Sequence, residues 1–412
     1  MGTTVRRRGQ VETTFGLIFA VLRRVPREKL EPMPADPHES VAKLRGRTGQ
    51  MLADLAALVN CESPSRAGRD LAVCASVISQ MFVNHLGKSA DLLPPAAGFA
   101  TGPHVSWRGG GSPSVLILGH YDTVFPAGTV TNRPFECDGV LARGPGVFDM
   151  KAAIVQAVFA IASLPPEVRE KVEVLFTSDE EIGSASSREL LIDRAKACGT
   201  ALVLEPSADG GALKTARKGT GTIEVVCHGR ASHAGLEPEK GINALVELAA
   251  QVPVISSFAN PSLGTTVTPT VASAGTADNV VPAEARMFVD VRVEAPGEKE
   301  RIEAAFASLS PVVPGCTIEV RGAIGRPPMP ASASADLMKV ASRCADELGL
   351  GPISGVAVGG GSDGNFTAAA GVPTLDGLGA VGGGAHGDTE HVIVAEMPNR
   401  AALLAAIIAA IA

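Results

Sequence analysis

Two histidines and a set of carboxylates in this 412-residue chain stand where they could do chemistry. His120 and Asp122 close an apolar run as Gly119-His120-Tyr121-Asp122-Thr123. Asp149 stands just before an apolar helical stretch. Asp179, Glu180 and Glu181 follow a second apolar run that ends at Thr177, and Glu205 follows a third that ends at Leu204. His386 lies in a glycine-rich stretch near the end. Imidazole and carboxylate groups suit Zn²⁺ and related divalent ions. Two histidines and three carboxylates suffice for two cations if one carboxylate bridges them. Crowding this many acids together without cations would be expensive.

The elements that must position these groups can be read from apolar periodicity. Short buried strands are expected at Ser114–Leu118, Lys171–Thr177 and Ala201–Leu204, separated by helices over Met150–Leu164 and Ser187–Ala197. Strand, helix, strand, helix, strand implies a mostly parallel sheet with helices on its faces, and such sheets carry their sites at the carboxyl ends of the strands. Two helices precede these elements, over Ser40–Leu58 and Leu71–Val83. From about Gly219 the pattern changes. Strands at Thr222–His228, Thr265–Ser273, Ala285–Val293 and Thr317–Arg321, with helices at Gly241–Val252 and Glu298–Leu309, read as a small α+β domain with an antiparallel sheet. The doubly wound character returns at Ala335, with a strand around Val356 and a last helix over Met397–Ile411. The fold class is therefore α/β, a doubly wound mostly parallel sheet interrupted by an inserted α+β domain. The expected division is an extension and linker over residues 1–39, a catalytic domain over 40–217 and 327–412, and an insertion over 218–326.

Composition narrows the function. Apolar residues make up 45% and charged residues 19%, enough for packed cores. The net charge of −7 argues against a protein that coats nucleic acid or an anionic membrane, and only 4% aromatic residues argue against a stacking platform for single strands. The seven cysteines form no CxxC pair, so a zinc ribbon, a thioredoxin-type pair and a disulfide framework are disfavoured; a reducing, cytoplasmic setting fits. Arg6–Arg8 before the apolar run Phe15–Leu22 resemble the start of a signal peptide, but Arg23, Arg24 and Arg27 follow directly and no small-residue cleavage site intervenes. A secreted or periplasmic location would need that segment to act as a signal. The run is too short to span a membrane.

The blocks Gly119-His-Tyr-Asp-Thr-Val124, Gly144-Pro-Gly-Val-Phe-Asp-Met-Lys151, Thr177-Ser-Asp-Glu-Glu-Ile-Gly183, Leu204-Glu-Pro206, Gly229-Arg-Ala-Ser-His-Ala-Gly235, Asn279-Val-Val-Pro282 and Gly359-Gly-Gly-Ser-Asp363 resemble, in order and spacing, the M20 family of metallopeptidases and acylases, most closely its glutamate carboxypeptidase branch. The resemblance implies that His120, Asp149 and Glu205 hold one metal ion and Asp149, Glu181 and His386 the other, with Asp149 bridging. The ions would be Zn²⁺, with Co²⁺ an alternative. Glu180 would be the general base and Asp122 would fix the His120 ring. A cis peptide after Asp149 is also implied.

In the inserted domain, His233 matches a residue that reaches a partner subunit's site and stabilises the oxyanion, which implies a homodimer formed through that domain. Asn279 and Arg326 match substrate-binding positions, Arg326 as a bidentate grip on a substrate carboxylate. Gly360 and Gly361 would let backbone approach the substrate. Glu rather than Asp at position 205 goes, in the family, with carboxypeptidases and N-acyl hydrolases. The expected substrate is thus a small peptide or N-acyl-amino acid whose product carries a free α-carboxylate. Cleavage of an amide beside a C-terminal amino acid leads. An N-acyl-amino acid deacylase of the acetylornithine deacetylase or aminoacylase type is the alternative, and a catalytically silent binding protein comes third. Two motifs read as decoys. Gly377-Leu-Gly379-Ala-Val-Gly382 spells GxGxxG but opens no helix, and the sequon Asn365-Phe-Thr367 falls at a helix start.

Overall fold

The computed structural model describes residues 37–412. The proposed signal-like run and most of the linker lie outside the described residues. The chain forms two compact units. One comprises the described residues up to Thr215 with Ala331–Ala357 and Phe366–Ala412; the other comprises Ala216–Pro330 with Val358–Asn365.

The first unit is built on a six-stranded sheet in the order Asp91–Leu93, His104–Arg108, Val172–Thr177, Val115–His120, Ala201–Val203, Thr374–Leu375. The last four are mutually parallel, and His104–Arg108 runs antiparallel to Val172–Thr177. Alternation explains why the strand at 115–120 reads as a continuous apolar run. Val115 and Ile117 enter the core on one face, while Leu116 and Leu118 enter the core on the other, with Leu191 and Ala195 of helix Arg188–Cys198. Helix Ala152–Ser163 is buried on every side and packs against the C-terminal helix Glu396–Ile411.

The second unit is a four-stranded antiparallel sheet in the order Thr266–Ala274, Glu284–Val293, Gly219–His228, Thr317–Arg326. Helices Ala244–Ser256 and Glu298–Ala307 supply Leu248, Ile255, Ile302 and Phe306 to a core shared with Ile223, Val225, Met287, Val289 and Val291 of the strands. The expected fold class is what the structure shows.

Several details differ from the sequence reading. The first expected helix is two, Pro37–Arg45 and Thr48–Val59, parted at Gly46, whose backbone freedom disfavours helix. The strand around Val356, Gly355–Val358, pairs with Leu213–Arg217 and not with the main sheet. A four-stranded sheet of very short strands was not anticipated. It runs Gly382–Gly383, His391–Ile393, Leu141–Arg143, Glu136–Cys137. All seven cysteines are free, six of them buried. Among the described residues no helix is long and apolar enough to cross a membrane.

Candidate metal centre

Three adjacent parallel strands bring the ligand candidates to one edge. His120 ends the strand Val115–His120 and pairs in register with Thr177. Glu180 and Glu181 follow in a single 3₁₀ turn, Glu180–Ile182. Leu204 donates its N–H to Leu118 O, which sets Glu205 beside His120. These are the carboxyl ends of the strands, where open α/β sheets place their sites.

Asp149 arrives from a different direction. It sits in an irregular turn, Val147–Lys151, at φ −114°, ψ 91°, and its peptide bond to Met150 is cis. Met150 lies against the neighbouring strand, and a Cβ at Gly119 would come within 2.8 Å of its Cε, so glycine makes the room. His386 comes from the far end of the sequence, held at φ 63° in the left-handed region between Gly384 and Gly387. Arg133 braces that loop, donating to Asp388 Oδ1 at 2.8 Å and Gly387 O at 3.1 Å while its guanidinium stacks over Phe125.

The two oxygens of Asp149 face different histidines. Oδ1 lies 3.1 Å from His120 Nε2, which is also 3.7 Å from Glu205 Oε1. Oδ2 lies 3.4 Å from His386 Nε2, which is also 3.2 Å from Glu181 Oε1. Two ligands at tetrahedral angles around one zinc ion, with bonds near 2.0–2.2 Å, stand about 3.3–3.5 Å apart. The four distances cluster around that edge length. Glu181 Oε1 is buried and makes no hydrogen bond despite the nearby imidazole, as expected of two groups aimed at a common point and not at each other. The donor set and its spacing therefore fit a pair of divalent cations.

Electrostatics agrees. Burial disfavours the imidazolium of His120, yet Asp122 and Asp149 hold it well above its ordinary value. Asp149 and Glu181 push His386 up to about 10. Burial resists ionisation of Asp149, but His120 and His386 keep its carboxyl well below the usual range. Without metal, the excess negative charge draws protons onto both histidines.

The remaining first-unit candidates surround this cluster. Glu180 is half-buried, with a carboxylate oxygen within 4.8 Å of ligand atoms of His120 and Glu205. Asp122 is fully buried. Its Oδ1 and Oδ2 accept the N–H groups of Glu180 and Glu181 at 3.2 Å each, its Oδ1 lies 3.4 Å from His120 Nδ1, and its backbone oxygen lies 3.0 Å from the same nitrogen. Glu390 escaped the sequence reading. It is buried, with Oε2 accepting from Gly146 N at 2.8 Å and Oε1 from Phe148 N at 3.0 Å and Asp149 N at 2.9 Å. Burial pushes its carboxyl up to about 7, against those three N–H donors. Its one sequence signal is its place four residues after His386.

The second unit holds the other candidates in two groups. His233 is exposed, and its Nδ1 accepts from the N–H groups of Gly235 and Leu236, both at 3.1 Å. Asn279 is beside it, its carbonyl accepting from Ala234 N. Arg326 is buried, with Nη1 3.7 Å from Asp363 Oδ1. Gly360 O accepts from Arg217 Nη1 at 2.9 Å, and a Cβ at Gly361 would press on Thr220 and Arg326 at 3.1–3.2 Å. The decoys have other uses. Gly377 O and Gly379 O accept hydrogen bonds from the buried Arg400, and a Cβ at Gly379 would lie 2.2 Å from Leu204 O. The Asn365 amide is buried and donates to Lys218 O and Pro327 O, so the sequon is engaged in the fold.

Comparison with known proteins places this geometry. The profile of Peptidase family M20/M25/M40 matches residues 116–410. Carboxypeptidase G2 of Pseudomonas sp. (strain RS-16) is 30% identical over 372 residues, covering 87% of this chain and 88% of that protein. A succinyl-diaminopimelate desuccinylase of Methylorubrum populi is 29% identical over 321 residues, covering 72% and 81%. The crystal structure of an M20 family metallo-carboxypeptidase, Sso-CP2 from Sulfolobus solfataricus, superposes with a TM-score of 0.69 at 16% identity, covering 87% of this chain and 98% of that one, and shares the fold. The chain therefore belongs to peptidase family M20/M25/M40 and is a hydrolase of its metallopeptidase and amidohydrolase class.

Proposed function

We propose that this protein is a dinuclear zinc hydrolase that cleaves the amide bond beside a C-terminal amino acid, in the manner of a glutamate carboxypeptidase. One observation carries the reading: each oxygen of Asp149 faces its own imidazole and carboxylate pair, His120 with Glu205 and His386 with Glu181. His120 with Glu205 and His386 with Glu181 would hold one divalent cation each, with Asp149 shared between them. Two divalent cations bound there would lower the pKa of a shared water and polarise the scissile carbonyl.

The chain's own residues do the rest. Glu180, with a carboxylate oxygen within 4.8 Å of ligand atoms of His120 and Glu205, is placed to take the proton of a water held there and pass it to the leaving amine. Asp122 orients the His120 ring and pins the N–H groups of Glu180 and Glu181, setting base and ligand with one carboxylate. In neutral His233, Nδ1 is occupied as an acceptor, which leaves the proton on Nε2 as a donor for a developing oxyanion. Asn279, Gly360 and Gly361 are proposed substrate contacts. Arg326 would grip a substrate carboxylate, sharing its charge with Asp363.

Homodimerisation through the inserted domain is part of the proposal. Among the described residues the edge strand Thr266–Ala274 has one unpaired side, and Leu245, Val246, Val254 and Val271 are exposed on this unit. If His233 acts in the partner's site, mixing inactive His233→Ala and Glu180→Gln proteins and letting subunits exchange restores activity. No restoration would remove that role.

The relationship to a desuccinylase favours a second reading, N-acyl-amino acid deacylation on the same site. A panel of peptidyl-glutamates, N-acyl-glutamates and N-acyl-ornithines, assayed by ninhydrin on metal-free and zinc-loaded protein, separates the two. Glutamate release from peptidyl substrates supports the first reading. Turnover of acyl-ornithine alone supports the second. No zinc-dependent release from any of them overturns both.

A further inference from the structure

We propose that Glu390 is a positioning residue that holds the bridging carboxylate Asp149 in place through its main chain. The turn carrying Asp149 is irregular and buried, so helix geometry does not satisfy the N–H groups of Gly146, Phe148 and Asp149. All three point at one side chain. Glu390 Oε2 accepts from Gly146 and Oε1 accepts from both Phe148 and Asp149, at 2.8–3.0 Å. An anion is a costly residue to bury beside a carboxylate-rich site, where an apolar residue could fill space without charge. Three convergent N–H donors offset part of that cost and give a carboxyl group a use here that an apolar side chain lacks.

The depth of Glu390 is itself fixed. The next residue begins strand His391–Ile393, which pairs with Leu141–Arg143, three residues before Gly146. Four residues upstream of Glu390 is His386. One short segment thus carries an imidazole aimed at Asp149 Oδ2 and the carboxylate that anchors the Asp149 backbone. The two sides of the bridge are set by one piece of chain.

The inference rests on the ligand set proposed above, and its test separates the two. Metal-free wild type, Glu390→Gln and Glu390→Asp are compared in the full chain. Melting by far-UV circular dichroism checks folding. Zn²⁺ affinity is measured against a chromophoric chelator, and Co²⁺ loading by the visible d–d absorption, which reports ligand geometry. Glutamine keeps one acceptor oxygen but turns an amide N–H₂ toward a backbone N–H. Aspartate keeps the charge and withdraws it by about 1.5 Å, one C–C bond. Both variants are expected to bind Zn²⁺ about 10- to 100-fold more weakly, with an altered Co²⁺ spectrum while still folded. A residue that only stabilises the fold would lower the melting temperature and leave the spectrum unchanged. Folded variants with wild-type affinity and spectrum overturn the proposal. So does failure of both variants to fold, because Glu390 would then serve the fold as a whole. Wild type that binds neither ion defeats the ligand assignment instead.

Discussion

Asp122→Asn tests how the site is held together. The carboxylate is fully buried and accepts two backbone N–H groups, from Glu180 and Glu181 at 3.2 Å each. An asparagine of the same shape can accept only one of them. Its amide nitrogen must face the other N–H, so one bond is lost outright and the second becomes a neutral one. Hydrogen bonds to a charged group contribute about 1.5–3 kcal/mol and neutral ones about 0.5–1.5 kcal/mol. Losing two of the first kind and keeping one of the second costs about 3 kcal/mol in the metal-free protein. The chain's single tryptophan makes this measurable, because Trp107 lies buried in strand His104–Arg108 of the same sheet, stacked on Phe82. Its fluorescence during urea unfolding therefore reports the unit that contains the mutation. Zinc affinity is expected to fall about 10- to 100-fold as the turn that carries Glu181 loses its anchor, while the backbone oxygen of residue 122 still faces His120 Nδ1. A loss under about 0.5 kcal/mol with unchanged zinc affinity would refute the view that Asp122 organises the Glu180–Glu181 turn, since a buried acceptor cannot be removed from two donors without cost.

Glu180→Gln is expected to lower kcat about 10²- to 10⁴-fold with both metal ions retained, checked by steady-state kinetics and elemental analysis; wild-type kcat would remove Glu180 as the base. Metal binding requires neutral imidazoles, while His120 and His386 both stand above their ordinary value in the metal-free protein, so zinc binding at pH 7 should release protons. Calorimetry in buffers of different ionisation enthalpy reads that release, and a heat independent of buffer contradicts it. The same raised His386 value gives the metal-free protein stability that is fully present below about pH 6.5 and lost as pH rises through about 10. Urea midpoints measured between pH 6 and 10 should therefore fall with rising pH, and a flat profile would be the contrary result. Gly379→Ala places a methyl group 2.2 Å from Leu204 O and 2.7 Å from Glu205 O, both main-chain atoms, and is expected to destabilise the first unit by about 2–3 kcal/mol in urea unfolding.

Much of this fold was legible because parallel strands buried on both faces announce themselves as nearly continuous apolar runs. Val115–Leu118 and Ala201–Val203 are of this kind, Val172–Phe176 is broken only by Glu173, and the residues just past them are where a reader looks for chemistry. The strands that escaped notice carry no such signal. Asp91–Leu93 is three residues long and half exposed, and the sheet containing Leu141–Arg143 and His391–Ile393 is too short to show a period. Glu390 was illegible for a different reason. Its importance lies in three main-chain donors on a turn far away in sequence, and no pattern in the chain records where a turn's N–H groups will point. Arg326 was legible as a cation, but its neighbour Asp363 was not, and that neighbour changes what the cation has left to offer.

The order of the metal-facing residues along the chain has a consequence for biosynthesis. His120, Asp149, Glu181 and Glu205 are all made before the ribosome begins the second unit, whereas His386 follows it. A nascent or truncated chain that stops short of residue 386 can present one complete imidazole and carboxylate pair, never the second. On the ligand set proposed above, loading of the second pair would wait until residue 386 is made, so a product cut before that residue would keep only half of the candidate site.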